Sequence, residues 1–142
     1  THLGRWGSFE RETRKQSMEL LERVGLSHLA EQAAGTLPYG YQRRLEIARA
    51  LSLQPRLLLL DEPAAGMNPD EVNDLNGLIK GIHRDFELTV LVIEHHMDLM
   101  MEICSHVICM NFGAKIAEGD PEHVQNHPEI LKAYLGEEVL EA

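Results

Sequence analysis

Apolar residues recur with helical spacing through the first third of the chain. Between Glu10 and Gly25 they fall on one broad face among charges, which predicts a helix that the glycine ends. The first nine residues lack this periodicity and are predicted to form a loop. Two more helices are predicted, one over Ser27–Ala33 with the serine as its cap and one from about Tyr41 to Leu53. The chain therefore opens with helices.

The pattern changes at Leu57–Leu60, a wholly apolar run that is followed by two acids. Short runs of this kind are typical of strands buried on both faces of a parallel sheet. Thr89–Ile93, rich in β-branched residues, predicts a second buried strand. Between them, Asn68–Glu71 has the order of a capping asparagine, a proline and an acid that begins a helix. A strand, a crossover helix and a second strand predict a right-handed parallel unit.

The last third of the chain predicts a short helix, a hairpin and terminal helices. Met97–Cys104 has the helical pattern, and His106–Met110 and Ala114–Ala117 are predicted strands joined through Asn111–Gly113. Asp120 precedes a proline and is expected to cap the last helices. Helices, a parallel unit and a hairpin together predict an α/β fold.

Charge and composition exclude several classes of function. The chain has 13 Lys and Arg against 23 Asp and Glu, so its net charge of −10 makes a nucleic acid an unexpected partner. No apolar stretch is long enough to cross a bilayer, and no signal peptide is predicted. Any membrane association is therefore expected to come through a partner protein. Cys104 and Cys109 are expected to be reduced cytosolic thiols, with no zinc-site spacing.

Two acids, Asp61 and Glu62, follow the leucine strand at the edge where open α/β sheets bind ligands. An aspartate there can hold Mg²⁺ through water, and the adjacent glutamate can polarise a water that attacks a γ-phosphate. An acid pair alone more often just ends a strand in solvent. The leucines before it and the segment Pro63–Pro69 after it favour the functional interpretation.

A glycine turn and a histidine are the other candidates for chemistry. The turn comprises Tyr39, Gly40, Tyr41 and Gln42. It can bind an anion because it opens a helix whose free N–H groups point outward. The alternative is an ordinary turn from a loop into a helix. The arginines that follow in the helix favour a solvated or salt-bridged face over nucleic-acid contact. His95 could hydrogen-bond a transferring phosphate. A metal site at His95-His96 is not expected, because adjacent side chains should point in different directions and no third ligand is suitably spaced.

Taken in order, these segments resemble the nucleotide-binding subunits of ABC transporters. The wording LPYG, QRRLEIARAL, DEPAAGMNP and IEHHM, with the ending Glu129–Gly136, is most similar to the ATPase subunits of branched-chain amino-acid importers. The resemblance implies the C-terminal portion of an α/β P-loop-type ABC ATPase domain. Residues 1–54 would end the helical subdomain with the signature loop and its helix. Residues 55–120 would form the core sheet, and residues 121–142 the C-terminal helices.

The resemblance also implies roles for individual residues. Asp61 would be the Mg²⁺-site acid, Glu62 the catalytic glutamate and His95 the switch histidine. The signature loop, Leu37–Gln42, and the D-loop, Ala65–Asn68, would contact ATP; the binding residues are Tyr39, Gly40, Tyr41, Gln42 and Asn68. Three positions depart from the family pattern. The family usually has a serine where this chain has Pro38 and a glutamine or glutamate where it has Tyr41. It usually has an aspartate where this chain has Asn68. We expect these departures to affect nucleotide contacts across a dimer, with the fold preserved.

ATP and Mg²⁺ in a full-length dimer are the implied cofactors. The implied partners are a second ATPase subunit and transmembrane permease subunits, which would hold the protein at the cytoplasmic face of the membrane without direct insertion. No segment has the sequence G-x-x-x-x-G-K-[ST], so the chain is expected to be a C-terminal fragment that is inactive alone. The alternatives are a soluble ABC-type ATPase acting in DNA repair or translation, or a non-catalytic interaction half-domain.

Overall fold

The computed structural model describes the backbone of residues 2–135 and the side chains of residues 7–132. The chain divides into two compact units, one up to Ile93 and one from Glu94 onward. The functional division at residues 54 and 120 stays a prediction, and residues 136–142 of its last segment lie outside the described part.

The first unit contains three helices and a two-stranded sheet. Its elements are helix α1 (His2–Arg23), helix α2 (Tyr39–Leu51), strand β1 (Leu57–Asp61), helix α3 (Pro69–Phe86) and strand β2 (Thr89–Ile93), with 3₁₀ turns at Ser27–Leu29 and Ala34–Thr36. The strands pair in parallel, from Leu57 opposite Thr89 to Asp61 opposite Ile93. The helices predicted between Glu10 and Gly25 and from about Tyr41, the two strands and their parallel pairing are therefore confirmed.

Two predictions for the N-terminal segment are wrong. Residues 2–9 are not the predicted loop, because α1 already begins at His2. Glycines lower helix propensity by about 1 kcal/mol each without forbidding a helix, and this segment contains no proline. Ser27 does not cap a helix to Ala33; it begins a 3₁₀ turn of three residues without a side-chain cap. The side chain of Leu26, directly before this turn, is buried.

The strands are buried on one face only, so the prediction of burial on both faces is wrong. Leu58 and Leu60 are buried, whereas Leu57 and Leu59 are 50% and 64% exposed. On β2, Leu91 and Ile93 are similarly exposed. Side chains alternate between the faces of a strand, and the core of this unit lies against one face. We refer to these four exposed residues, Leu57, Leu59, Leu91 and Ile93, as the open sheet face.

Helix α3 begins with the predicted capping box. The side chain of Asn68 accepts a hydrogen bond from the Glu71 N–H at 3.0 Å, and the Glu71 carboxylate accepts one from the Asn68 N–H at 2.9 Å. Leu75, Ile79 and Ile82 of the helix are buried. The cap therefore sets where α3 starts, and the apolar spacing of α3 sets which side it buries.

The second unit is a hairpin packed with short helices. It consists of helix α4 (Met97–Ile103), antiparallel strands β3 (Val107–Asn111) and β4 (Ala114–Gly119), helix α5 (Pro121–Gln125) and helix α6 (Pro128–Leu135). The turn residues Phe112 and Gly113 have φ of 44° and 80°, the left-handed pair that a tight hairpin requires. The Asp120 side chain accepts a bond from the His123 N–H, as predicted. The core is made by Val107, Ala117, Val124 and Ile130, with Met97 and Met101 packed against it.

Candidate functional site

The acid pair lies where β1 turns away from the sheet. Asp61 is the last strand residue, and alternation places it on the same face as the exposed leucines. The Glu62 N–H donates to the Ile93 carbonyl at 2.8 Å, after which Glu62 adopts a φ of 44°. A non-glycine residue in this region costs on the order of 1 kcal/mol, so surrounding contacts must hold it. Buried Ala64 and the bond from the Ala65 N–H to the Glu62 carbonyl do so.

The Asp61 carboxylate fits the chemistry of a hydrated magnesium ion. It is exposed, and within residues 7–132 it makes no hydrogen bond or ion pair that would occupy its oxygens. A pocket of about 150 Å³ joins Asp61 and Pro63 to Arg43 and Glu46 of α2. Mg²⁺ favours one or two carboxylates and keeps several waters, which an exposed strand-end aspartate allows.

The glycine turn forms the first turn of α2. This helix begins at Tyr39, two residues before the predicted start, because the Pro38 carbonyl accepts bonds from the N–H groups of Tyr41 and Gln42 at 3.0 and 3.1 Å. The first N–H groups of such a helix have no acceptor within it and suit an anion. The Gln42 side chain donates to the Leu37 carbonyl at 2.8 Å, so part of its role here is to brace the loop.

The segment predicted as the D-loop lies against this turn. A Cβ added at Gly40 would lie 3.4 Å from Glu71 Oε1, and one added at Gly66 would lie 3.7 Å from the Tyr39 ring. Gly66 has a φ of +74°, which favours glycine. A pocket of about 250 Å³ lies between the two segments; its lining residues are Pro38, Gly40, Tyr41, Arg44, Met67, Glu71 and Asp74. The capping-box spacing identified Glu71 as a cap, but its place beside Gly40 left no sequence signal.

Two arginines of α2 make ion pairs, in line with the predicted solvated or salt-bridged face. Arg43 lies 2.7 Å from Glu46, and Arg44 lies 3.1 Å from Asp74. Arg43 also donates a hydrogen bond to the Tyr39 hydroxyl. The pKa of Arg43 is raised, mostly by its hydrogen bond to Glu46 and next by the one to Tyr39. The Tyr39 ring is thereby fixed at the edge of the turn.

His95 belongs to the second unit, and the acid pair and the glycine turn belong to the first. The His95 side chain is 63% exposed. The backbone N–H of His95 donates to Glu94 Oε2 at 3.2 Å. The expectation that His95 and His96 point in different directions is wrong, because their rings are 4.3 Å apart and both face the Glu94 carboxylate. The strand has ended at Ile93, so strand alternation no longer separates adjacent side chains.

The chain is similar to known ABC transporter proteins along most of its length. Residues 2–65 match the ABC transporter family, and residues 114–139 match the branched-chain amino acid ATP-binding cassette transporter family. The chain is 50% identical over 128 residues to the high-affinity branched-chain amino acid transport ATP-binding protein BraF of Pseudomonas aeruginosa, covering 90% of this chain and 50% of that protein. It is 48% identical over 117 residues to the corresponding protein LivG of Escherichia coli K12, covering 82% and 46%.

A solved structure shares the fold. The crystal structure of the ADP conformation of MJ1267, an ATP-binding cassette of an ABC transporter, aligns with a TM-score of 0.79 at 32% identity, covering 89% of this chain and 51% of that chain. The chain thus spans about half the length of the relatives it matches. Within residues 2–135, no helix is both long and apolar enough to cross a membrane. Sequence and fold thus agree over most of the chain, which shares the sequence pattern and the fold of ABC transporter ATP-binding domains.

Proposed function

We propose that this chain is the C-terminal part of the ATP-hydrolysing subunit of an importer for branched-chain amino acids. The observation that carries the proposal is the arrangement in the first unit. The Gly40 turn lies against the Ala65–Asn68 segment, and the acid pair stands at the end of β1 beside α2. The 50% identity to BraF supports the substrate class.

The proposed roles follow from the chemistry of each group. Asp61 would hold Mg²⁺, which when bound neutralises phosphate charge. Glu62 would polarise the attacking water, and His95 would hydrogen-bond the transferring phosphate. The first turn of α2, Tyr39–Gln42, together with Asn68, would contact the nucleotide of a second ATPase subunit.

The proposal extends to partners and location. A second ATPase subunit and transmembrane permease subunits would complete the importer. The subunit would then lie on the cytoplasmic side of the membrane, attached through the permease without inserting into the bilayer. A net charge of −10 is consistent with protein partners in preference to nucleic acid.

The experiment that tests the role of Glu62 is Glu62→Gln in the intact ATP-binding subunit assembled with its permease. We expect steady-state ATP hydrolysis to fall at least about a hundredfold, in the range typical of losing a general base, while ATP-dependent subunit association is kept. His95→Ala should also lose most of the hydrolysis. Glu122→Gln, an exposed acid of α5, is the matched control and should keep normal turnover. A Glu62→Gln subunit with near-normal kcat would contradict the assignment.

We also propose that the 142-residue chain alone hydrolyses no ATP above buffer background. Within its sequence no segment supplies the glycine-rich loop and lysine that cradle the β- and γ-phosphates. Phosphate release by the purified chain is the measurement. Saturable release that Glu62→Gln abolishes would overturn this proposal.

A further inference from the structure

Three consecutive residues of the second unit bring a carboxylate and two imidazoles together. Glu94, His95 and His96 form the segment that leads into α4. The Glu94 side chain has no exposed surface, whereas His95 and His96 are 63% and 48% exposed. Glu94 Oε2 lies 3.0 Å from His96 Nδ1 and 3.8 Å from His95 Nδ1. One potential ligand atom from each residue lies within 4.8 Å of the other two.

These separations match those between ligands of a small metal ion. Zinc–nitrogen and zinc–oxygen bonds are about 2.0–2.2 Å long, so two ligands at a tetrahedral angle are about 3.4 Å apart. The observed distances of 3.0 and 3.8 Å lie on either side of that value. Small side-chain rotations would therefore bring the three atoms into coordinating positions, with the fourth position left for water.

The donor set selects the class of ion. Two imidazole nitrogens and one carboxylate oxygen suit zinc and neighbouring divalent transition metals, whereas Mg²⁺ and Ca²⁺ favour oxygen ligands throughout. The Glu94 carboxylate already lies against both imidazoles, so a bound ion would contact all three groups. The two exposed rings give the ion a path from solvent.

We propose that Glu94, His95 and His96 bind a divalent transition metal ion of the zinc class, with one ligand from each residue. The site lies wholly within the second unit. It shares His95 with the proposed ATPase site, but its test on the 142-residue chain needs no ATP hydrolysis.

One other histidine pair and one histidine–glutamate pair in this unit provide internal comparisons. His123 and His127 have ring centroids 6.2 Å apart, and His106 lies 3.1 Å from Glu118, whose carboxylate also bonds Lys115. Within the described residues, neither pair belongs to a cluster of three potential ligands as close as that at Glu94. His106→Ala and His123→Ala are therefore matched controls.

The test is titration of the 142-residue chain with Zn²⁺ by calorimetry, and with Co²⁺ by visible absorption. Co²⁺ absorption distinguishes four-coordinate from six-coordinate ions and so reports the environment directly. We expect one ion per chain and a four-coordinate spectrum. His96→Ala and Glu94→Gln should each weaken binding more than about tenfold. Changing a residue that only supports a metal ligand already lowers metal affinity by about that factor. His106→Ala and His123→Ala should leave binding unchanged. Circular dichroism of each variant shows that the fold is kept.

Three outcomes would overturn the proposal. The first is the absence of Zn²⁺ binding by the wild-type chain, and the second is unchanged affinity in folded His96→Ala and Glu94→Gln variants. The third is loss of binding in His123→Ala while His96→Ala binds normally, which would place the ion at His123 and His127. Zn²⁺ shifts of the histidine ring resonances in NMR identify which rings coordinate, and shifts confined to His95 and His96 are the expected result.

Discussion

At the residue scale, the molecule places its candidate chemistry where local geometry is restricted. Glu62 has a positive φ, Gly66 has a φ that favours glycine, and Gly40 leaves space that the Glu71 carboxylate approaches. Each of these features sets where one functional group or loop lies. Their cost of a few tenths to a few kcal/mol is offset by the hydrogen bonds and buried contacts around them.

Glu118 gives a prediction for pH. Its carboxylate accepts hydrogen bonds from Lys115 and, less strongly, from His106, and these lower the pKa of Glu118 below its ordinary value of 4.5. A lowered folded-state pKa stabilises the fold above pH 4.5, and this stabilisation is lost as the pH falls through the folded value. Glu118→Gln should therefore lower Tm at pH 7, and the difference from wild type should shrink below about pH 4.5. Thermal melts across pH check this. Glu122→Gln serves as the control, and a pH-independent difference would contradict the assignment.

At the element scale, caps and turns determine where helices and strands begin. Asn68 and Glu71 fix the start of α3, Asp120 fixes that of α5, and Phe112 with Gly113 fixes the hairpin turn. The capping box has a second consequence, because Glu71 also lies beside Gly40. The start of α3 therefore lies close to the start of α2.

Asn68→Ala should lower the stability of the chain by about 1 kcal/mol, because the Glu71 N–H loses its acceptor. Urea unfolding followed by far-UV circular dichroism measures the loss. Asn73→Ala is the matched control, because Asn73 lies exposed in the interior of α3, where alanine is the better helix former. Equal destabilisation by the two substitutions would show that the cap contributes nothing.

At the scale of the whole molecule, the open sheet face sets how the purified chain behaves. Four large apolar side chains on two adjacent strands are at least half exposed there. Contiguous apolar surface on sheet strands promotes association between copies or local rearrangement. We therefore expect the chain either to associate or to be marginally stable.

Leu59→Lys should reduce concentration-dependent association of the 142-residue chain, because it places a charge in the middle of the open sheet face. Sedimentation velocity over a range of concentrations is the measurement. Leu53→Lys is the matched control, since Leu53 is 82% exposed in the loop that follows α2. A chain that stays monomeric and stable at all concentrations, with strongly protected amides in β2, would refute this expectation.

The sequence by itself determined most element positions and the resemblance to ABC transporter proteins. Caps, prolines, turn glycines and the period of apolar residues act over a few neighbouring positions, so they can be interpreted from the chain alone. The capping box at Asn68, the turn at Phe112 and the parallel strands after α2 were predictable for this reason. The prediction of an N-terminal loop was wrong because the low helix propensity of glycine does not prevent a helix.

Only the tertiary structure decided which atoms meet. The approach of Glu71 to Gly40 joins segments about thirty residues apart, and no local spacing specifies it. The one-sided burial of β1 depends on what packs against the sheet. The grouping of Glu94, His95 and His96 depends on where the strand ends and how the chain then turns. These contacts follow from packing across the fold, which periodicity in the sequence does not contain.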